Sequence, residues 1–468
     1  MFSKICFFSN KLIFFALTFI SSIGSLLSLP LDDYVKAPDD SYKWSLHRSV
    51  KKTGYTLHTL KMTSQSWRSK EEVDRTLWEH WLTILIPDNI QSNKAMLYID
   101  GGLNGGNLPS RFKGFLNDMA QETRTVVAWL RYVPNQRLKF PDDPNPRYKK
   151  KGRMEDALLA YSIDKFFKTG DTSWICHFPM TKSAVRAMDT VEAFCKEQKE
   201  AIDIEGFVIA GVSKRGWTTW LTAAVDPRII AFVPVVIDLG NMKDSFSRHY
   251  NAYGKWSRAL KDYTRMKIYE RFGTPEFDAL IQHVDPYEYR DRYTMPKYII
   301  NSAGDPFFLP DSSQLYFHDL PGQKYLRYIP NRGHNLIFSD AARSVKTFYR
   351  SIIEEKDLPR YSWKRNPDNS VTVECLDHAE KVNLWKATNP NARDFRFKTI
   401  KRAWKKTRLK VDSRKFTVNI PPPKKGWSAF FVELVFDSGE KEPYKFTTDV
   451  FIIPDTFPYS LEKEDTEN

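Results

Sequence analysis

The chain has 468 residues, of which 41% are hydrophobic and 14% aromatic, so it is long enough for a substantial core and favours two globular domains. This composition excludes a chain that is disordered over most of its length. The net charge is +14, but the basic residues are scattered and no recognised nucleic-acid module accompanies them, so no nucleic-acid partner is predicted.

The N-terminus has the plan of a signal peptide. Lys4 and Lys11 precede an apolar stretch at 12–20, and small residues follow it. This pattern predicts a signal peptide over residues 1–28 and secretion to the extracellular space. The alternative is an uncleaved membrane anchor. No later segment is long and apolar enough to span a bilayer, so no stable membrane span is expected after cleavage.

The first part of the folded chain reads as strands. Antiparallel strands are predicted over residues 45–90, and a buried strand over 95–99 is followed by the sequence DGGLNGG at 100–106. Glycines allow the backbone to approach a bound acyl group and to turn an N–H toward it. We therefore assign Gly102 and Leu103 to an oxyanion hole, the alternative being a flexible turn.

Four cysteines bear on the redox state of the chain. Cys6 leaves with the signal peptide, and Cys176 and Cys195 flank one predicted helix, so an oxidising compartment favours a disulfide between these two. Cys375 is then free or intermolecular. The spacing of the cysteines does not settle the pairing. No CxxC pair or HExxH motif occurs, so neither a metal site nor a cofactor is predicted.

A serine stands at a predicted strand-to-helix turn. The apolar run at 207–210 is followed by GVSKRG at 211–216 and then by a small-residue segment that favours a helix. In α/β-hydrolases this geometry projects the serine Oγ from the sheet, and the backbone N–H of the next residue helps to bind the oxyanion. Ser213 is the candidate nucleophile, and Lys214 supplies the candidate backbone donor.

An acid and a base follow in α/β-hydrolase order. A strand predicted at 297–302 ends in Ala-Gly-Asp-Pro, which places Asp305 on a turn, and the strand at 325–329 is followed by a loop with His334. His334 would accept the serine proton, and the carboxylate would orient the imidazole. Asp238, at the end of the strand at 232–237, is the alternative acid.

One residue departs from the usual nucleophile turn. Glycine normally stands two residues after the serine, whereas this chain has Arg215 there and Gly216 one position later. The planar guanidinium could clamp a substrate carboxylate, so Arg215 is a candidate substrate-binding residue. A structural ion pair is the other interpretation.

The remaining segments complete a two-domain plan. The interval 241–295 has helical periodicity and is predicted to form a cap over the active-site end of the sheet. Short alternating strands predict a small C-terminal β-sandwich over 362–455, a kind of module that usually binds or stabilises, followed by an acidic tail at 456–468. The fold class is thus α/β: an α/β-hydrolase-like, mostly parallel sheet over 31–360 with a helical cap insertion, joined to the sandwich.

Several motifs resemble the PhoPQ-activated pathogenicity-related family. They are spread from about Leu31 to the C-terminal region and comprise LDDYV at 31–35, PDDSYKW at 38–44, TSQSW at 63–67, WEHWL at 78–82, GVSKRG at 211–216, LWKATNP at 384–390 and RDFR at 393–396. The resemblance implies an α/β-hydrolase core and, for the eukaryotic branch, an extracellular factor that slows proliferation of the cells secreting it. The implied partner is a cell-surface receptor or another secreted protein. The alternative is a secreted esterase or peptidase whose substrate is a small ester or peptide.

Overall fold

A computed structural model describes residues 30–106, 108 and 112–461. The predicted signal peptide at 1–28 and the last residues of the predicted acidic tail, 462–468, lie outside these ranges. Among the helices of the described ranges, none combines the length and the apolar character that crossing a membrane requires.

The central element is a nine-stranded sheet. Its strands are β1 (Lys43–Lys52), β2 (Tyr55–Ser66), β3 (Leu77–Pro87), β4 (Lys94–Ile99), β5 (Val127–Leu130), β6 (Gly206–Val212), β7 (Ile229–Val235), β8 (Lys297–Ser302) and β9 (Lys324–Ile329). The spatial order is β1-β2-β3-β5-β4-β6-β7-β8-β9. Strands β1, β2, β3 and β5 pair antiparallel, and every pair from β5 to β9 is parallel. This order, in which β5 lies between β3 and β4, confirms the predicted α/β-hydrolase fold.

The parallel strands are buried on both faces. In β4, Leu97 and Ile99 belong to one core cluster, whereas Met96 and Tyr98 belong to the other, as expected when successive side chains point to opposite faces. Parallel strands covered on both sides read as nearly continuous apolar runs. The absence of polar alternation in these strands is what made them recognisable from sequence.

Helices cover the two faces and build the insertions. They are α1 (Pro30–Lys36), α2 (Gly114–Thr123), α3 (Pro146–Lys151), α4 (Asp156–Thr169), α5 (His177–Lys196), α6 (Lys214–Val225), α7 (Met242–Tyr253), α8 (Lys261–Arg265), α9 (Pro275–Val284), α10 (Ala341–Ile353) and α11 (Phe397–Ile400). Helices α5 and α6 pack on the first face of the sheet, and α2 and α10 pack on the second. Because the strands from β4 to β9 run in the same direction, the loops that follow them all leave from one edge of the sheet.

The segment from α7 to α9 lies over that edge. Its apolar side chains face a cavity that reaches the turn after β6, and the Trp217 indole N–H of α6 donates to the Val284 carbonyl of α9 at 2.6 Å. The aromatic side chains in this segment pack on one another, as in the stacked rings of Trp256 and Tyr269, 3.9 Å apart. The segment thus packs over the end of the sheet that carries the turn after β6, and it coincides with the interval in which the cap was predicted.

The C-terminal part consists of antiparallel strands. A three-stranded sheet contains β10 (Tyr361–Arg365), β11 (Val371–Cys375) and β14 (Lys415–Val418); a second sheet contains β12 (Lys381–Asn389), β13 (Lys405–Leu409), β15 (Trp427–Phe436), β16 (Tyr444–Thr447) and β17 (Phe451–Ile453). Side chains of both sheets share one apolar cluster, which also includes residues of α2 and α10. The C-terminal sheets therefore pack against the helices and strands on the second face of the nine-stranded sheet.

The predicted disulfide between Cys176 and Cys195 is wrong. Cys176 stands at the N-cap of the 20-residue helix α5, and Cys195 lies in its last turn. At 1.5 Å per residue the two are about 28 Å apart, whereas a disulfide needs Cα atoms within about 7 Å. Both are free and buried, as is Cys375, and burial raises the pKa of the Cys195 thiol to about 12. The disulfide was predicted because Cys176 and Cys195 flank the same helix, and the length of that helix is what keeps the two thiols apart.

Because these three thiols are free, a reducing agent is expected to leave the thermal unfolding midpoint unchanged. Alkylation of the unfolded, unreduced protein should modify Cys176, Cys195 and Cys375, which peptide mass spectrometry would detect. Native protein should react slowly, because the thiols are buried. A cross-linked peptide containing any two of them would contradict this prediction.

Candidate active site

Ser213 occupies a strained turn between β6 and α6. Its backbone angles are φ 59° and ψ −127°, a conformation that a non-glycine residue adopts only when the surroundings impose it. The surroundings need glycine at two positions. A Cβ on Gly211 would lie 2.4 Å from the Arg215 carbonyl oxygen, and one on Gly216 would lie 2.7 Å from Ile237. The close approach to the segment after β7 therefore occurs at position 216, and position 215 can hold an arginine.

The structure brings Ser213, His334 and Asp305 into one hydrogen-bonded chain. The Ser213 Oγ lies 2.8 Å from His334 Nε2, and His334 Nδ1 lies 2.7 Å from Asp305 Oδ2. The other oxygen of Asp305 accepts the Phe307 N–H at 2.8 Å, and the Phe307 ring lies 4.6 Å from the imidazole. Each residue follows a different parallel strand, as the sequence predicted.

The environment of the histidine sets its tautomer. The Asp305 carboxylate is almost fully buried and accepts a hydrogen bond at Oδ2, so Nδ1 is the donor and Nε2 is left to accept the hydrogen bond of the Ser213 hydroxyl. The loops are held together, because the Ser302 hydroxyl donates to the Arg332 carbonyl at 2.7 Å. Chemically, this arrangement can remove a proton from Ser213 as its oxygen attacks a carbonyl carbon.

Asp238 is not part of this chain. Its carboxyl group accepts hydrogen bonds from the Tyr316 hydroxyl at 2.7 Å and the Tyr328 hydroxyl at 2.5 Å, in a fully buried site. Burial raises the pKa of Asp238 to about 8, which favours the protonated form. The carboxylate that contacts His334 is therefore Asp305, and the alternative acid is excluded by position.

Arg215 does not point toward a substrate. Its Nη1 and Nη2 donate to the two oxygens of Glu155 at 2.7 and 2.6 Å, and its Nε donates to the Val133 carbonyl at 2.5 Å. The residue is 9% exposed. The prediction that Arg215 binds a substrate carboxylate is thus wrong, and the alternative interpretation, a structural ion pair, is confirmed by the contact with Glu155. A bidentate pair leaves no free fork for a ligand carboxylate.

Glu155 was missed by the sequence analysis and connects the turn to its neighbours. Besides Arg215, its carboxylate accepts from Lys214 Nζ at 2.7 Å and from Gln136 Nε2 at 2.7 Å. Burial disfavours its charge, but the bonds and charges of Arg215 and Lys214 outweigh this and hold the pKa of Glu155 well below its usual range. The available signal was the pair of consecutive cations that follows the serine at the start of a helix, since buried cations need an acidic partner.

The glycine loop after β4 lies beside the same cluster. A Cβ on Gly101 would lie 2.5 Å from the Arg215 guanidinium, and the Gly102 carbonyl accepts from Gln136 Nε2 at 2.9 Å. Gly102 has φ +146° and packs against the Tyr132 ring, so a side chain there would clash. Leu103 is partly exposed. The assignment of the Lys214, Gly102 and Leu103 backbone N–H groups to an oxyanion hole stays a prediction.

The Glu155→Gln variant is expected to lose about 2–3 kcal/mol in free energy of unfolding. The change leaves Arg215 without a countercharge and Lys214 with only the longer contact to Asp156 at 3.5 Å, and both cations are at most a tenth exposed. The figure is below the ~3–5 kcal/mol of a fully buried pair because Glu155 itself is one-third exposed. Urea denaturation would measure the loss.

Glu354 provides a matched control for Glu155. It also pairs with one arginine and one lysine, Arg350 and Lys356, at 2.6 Å each, and its own exposure is nearly the same, but its partners are exposed to solvent. Glu354→Gln should therefore change the free energy of unfolding by no more than about 0.5 kcal/mol. Equal losses in the two variants would contradict the structural role given to Glu155.

Comparison with known proteins places the chain among named relatives. A sequence model described as PhoPQ-activated pathogenicity-related protein matches residues 31–396, a stretch that contains Ser213, Asp305 and His334. The Autocrine proliferation repressor protein A of Dictyostelium discoideum is 36% identical over 474 residues, covering 95% of this chain and 94% of that protein.

Solved structures with a similar chain path are esterases and hydrolases. An acetyl xylan esterase from Paenibacillus sp. R4 is 14% identical, covers 70% of this chain and 91% of its own, and has a TM-score of 0.48. An S-formylglutathione hydrolase from Agrobacterium tumefaciens is 16% identical, covers 67% of this chain and 100% of its own, and has a TM-score of 0.42.

Proposed function

This chain belongs to the PhoPQ-activated pathogenicity-related protein family, and we propose that it acts as an extracellular autocrine signal that represses proliferation of the cells producing it. The observation that carries this proposal is the similarity to the Dictyostelium repressor over nearly the whole length of both chains. A signal acting from outside must leave the cell, and the proposed signal peptide at residues 1–28 would direct it there. The proposed partner is a cell-surface receptor or another secreted protein.

Growth assays test this proposal directly. Purified protein added to cells that normally produce it should slow the increase in cell number, and deletion of the gene should accelerate it. The protein should be found in the medium with an N-terminus after residue 28. Unchanged growth after both treatments, or retention of the protein inside the cells, would contradict the proposal.

A second function is supported by the hydrogen-bonded chain from Ser213 through His334 to Asp305. In this function the protein is a serine hydrolase that cleaves a small ester or amide. The Ser213 oxygen attacks the carbonyl carbon while His334 takes its proton, and Asp305 stabilises the imidazolium that forms. Backbone N–H groups of Lys214 and of Gly102 or Leu103 would bind the oxyanion.

The two functions are compatible, because hydrolysis outside the cell could itself be the signal. Covalent labelling by a fluorophosphonate probe, which reacts with activated serines, tests the hydrolase function alone. Labelled protein that also represses growth supports both functions. Repression by a protein that takes up no label would assign the signal to the protein surface.

A further inference from the structure

An apolar cavity lies beside Ser213 under the cap. The space between its walls, including the part that is open to solvent, is about 680 Å³, and its cap side is lined by Met242, Phe246, Leu260, Phe277, Leu280 and Val284. Trp217 and Ile237 form the wall nearest the sheet, and Phe307 and Phe308 close the side of the histidine loop. Ser213 belongs to the lining, so the cavity opens directly on the candidate nucleophile.

Several polar groups of the lining are already paired. Lys214 Nζ contacts Glu155 at 2.7 Å and Asp156 at 3.5 Å, and the Tyr263 hydroxyl donates to Asp156 at 3.3 Å. A ligand bearing hydrogen-bonding groups would compete with these pairs and leave buried polar atoms unmatched. The cavity therefore suits a group without polar atoms.

We propose that this cavity holds the apolar acyl chain of an ester substrate, a proposal that rests on the hydrolase function proposed above. Ser213 Oγ bonds to the acyl carbon, the bond to the alcohol oxygen breaks, and the serine proton passes through His334 to the departing alcohol. Water then cleaves the acyl-serine, releasing a carboxylic acid and restoring Ser213. The acyl group stays bound between the two steps, and an apolar cavity beside Ser213 suits the retained part rather than the leaving part.

Apolar side chains are also exposed on the segments that carry the site residues. Val212 directly precedes Ser213, Leu103 lies on the glycine loop, and Ile337 and Phe338 follow His334; the last two are 77% and 80% exposed. Apolar side chains that are exposed together can form an interaction surface. These four are next to Ser213, on the glycine loop and after His334 in sequence, which is consistent with a substrate that has an apolar part.

The test is a series of p-nitrophenyl esters that differ only in acyl length. Each buried methylene favours binding, so kcat/KM should rise about tenfold from acetate to butyrate and further to octanoate. Phe246→Ala should reduce the octanoate-to-acetate ratio about tenfold. Phe416→Ala, the same truncation of a half-buried ring in the C-terminal sheets, should leave the ratio unchanged.

A binding measurement separates this proposal from the hydrolase function. Ser213→Ala protein should bind octanoate and not acetate, with a change in tryptophan fluorescence from Trp217 in the cavity wall. Labelling of Ser213 with a flat ester profile and no octanoate binding would overturn the acyl-chain proposal and leave the hydrolase function intact. If wild-type protein takes up no fluorophosphonate, the hydrolase function fails and the acyl-chain proposal fails with it.

An independent observation concerns the charge of the C-terminal sheets. Residues 398–425 contain eleven lysines and arginines and one acidic residue, Asp412. We define the basic edge as Lys386, Lys401, Lys405, Lys406, Arg408 and Lys410, which lie on or beside the edge strand β13, project from both faces of its sheet and are all exposed. Within the described part of the chain, none of the six forms an ion pair, and Lys386 lies directly opposite Lys405 in the β12–β13 pair. Like charges placed opposite each other repel, so this arrangement destabilises the sheet unless an anion binds.

We infer that the basic edge binds an acidic polysaccharide. The exposed side chains of the edge strand β13 are Lys405, Lys406, Thr407 and Arg408. The neighbouring Trp385 ring is half-buried with Lys406 over it, at 5.9 Å from its centre, so the strand presents cations rather than exposed rings. Membrane-binding surfaces combine cations with apolar side chains, and single-stranded nucleic acids need exposed aromatic rings for stacking. A row of cations along an extended strand fits a chain of sulfate or carboxylate groups.

Heparin serves as the probe, and a triple variant provides the comparison. Lys405→Ala, Lys406→Ala and Arg408→Ala together should lower the salt concentration that elutes the protein from immobilised heparin and reduce the salt dependence of binding. The control is Lys149→Ala, Lys150→Ala and Lys151→Ala, which removes the same charge from the exposed helix α3. Equal losses in both triples, or tighter binding to anionic vesicles or to DNA than to heparin, would overturn the inference.

Discussion

The Ser213→Ala variant is expected to lose ester hydrolysis by at least ~10⁴-fold and to take up no fluorophosphonate label. The oxygen that would form the covalent bond lies 2.8 Å from His334 Nε2, and no other hydroxyl takes part in that contact. Alanine keeps the backbone of the turn, so the midpoint of thermal unfolding should change little. Turnover of p-nitrophenyl butyrate and labelling on a gel measure the loss.

Ser438→Ala provides the control for this variant. Its hydroxyl donates to the Glu442 carbonyl in the C-terminal sheets, at a distance from the candidate site, so activity and labelling should match wild type. Residual turnover within tenfold of wild type in Ser213→Ala would contradict the nucleophile assignment. Applied to growing cells, the same variant separates the two proposed functions, because repression that survives without labelling comes from the protein surface.

The site residues could be predicted to the extent that their positions depend on local structure. Ser213, Asp305 and His334 each follow an apolar run that forms a strand, and parallel strands end at one edge of a sheet, so their proximity follows from order along the chain. The two glycines at 211 and 216 likewise identify the close approach of β6, α6 and β7.

The features that sequence reasoning missed depend on contacts between distant segments. Glu155, the residue that precedes α4, lies 60 residues before Arg215 in the sequence, and only the folded insertion brings the two together. The choice between Asp238 and Asp305 required the direction of each side chain after its strand. The Cys176–Cys195 prediction failed for a related reason, since a rigid helix converts nearness in sequence into distance in space.

Asp305→Asn is expected to lower kcat about 10⁴-fold with little effect on substrate binding. The amide of asparagine can donate to His334 Nδ1, which then becomes the acceptor and leaves Nε2 protonated, so the serine proton has no base. Asp305 is nearly isosteric with asparagine and keeps its bond from the Phe307 N–H, so the fold should persist. Steady-state kinetics with p-nitrophenyl butyrate would separate the loss in kcat from any change in KM.

Asp238→Asn is the matched control and should retain activity within about threefold, because Asp238 contacts Tyr316 and Tyr328 and not His334.

The Asp238→Asn substitution should also change how the free energy of unfolding depends on pH. Burial raises the pKa of Asp238 from 3.8 to about 8, so between these values the unfolded chain releases a proton that the folded protein keeps. The contribution of Asp238 to the free energy of unfolding is therefore fully present below about pH 4 and is lost as the pH rises through 8. Relative to the variant, wild type should lose stability between pH 5 and 8 in urea denaturation, and a parallel profile would contradict a protonated Asp238. Loss of activity in Asp238→Asn equal to that in Asp305→Asn would contradict the assignment of the acid.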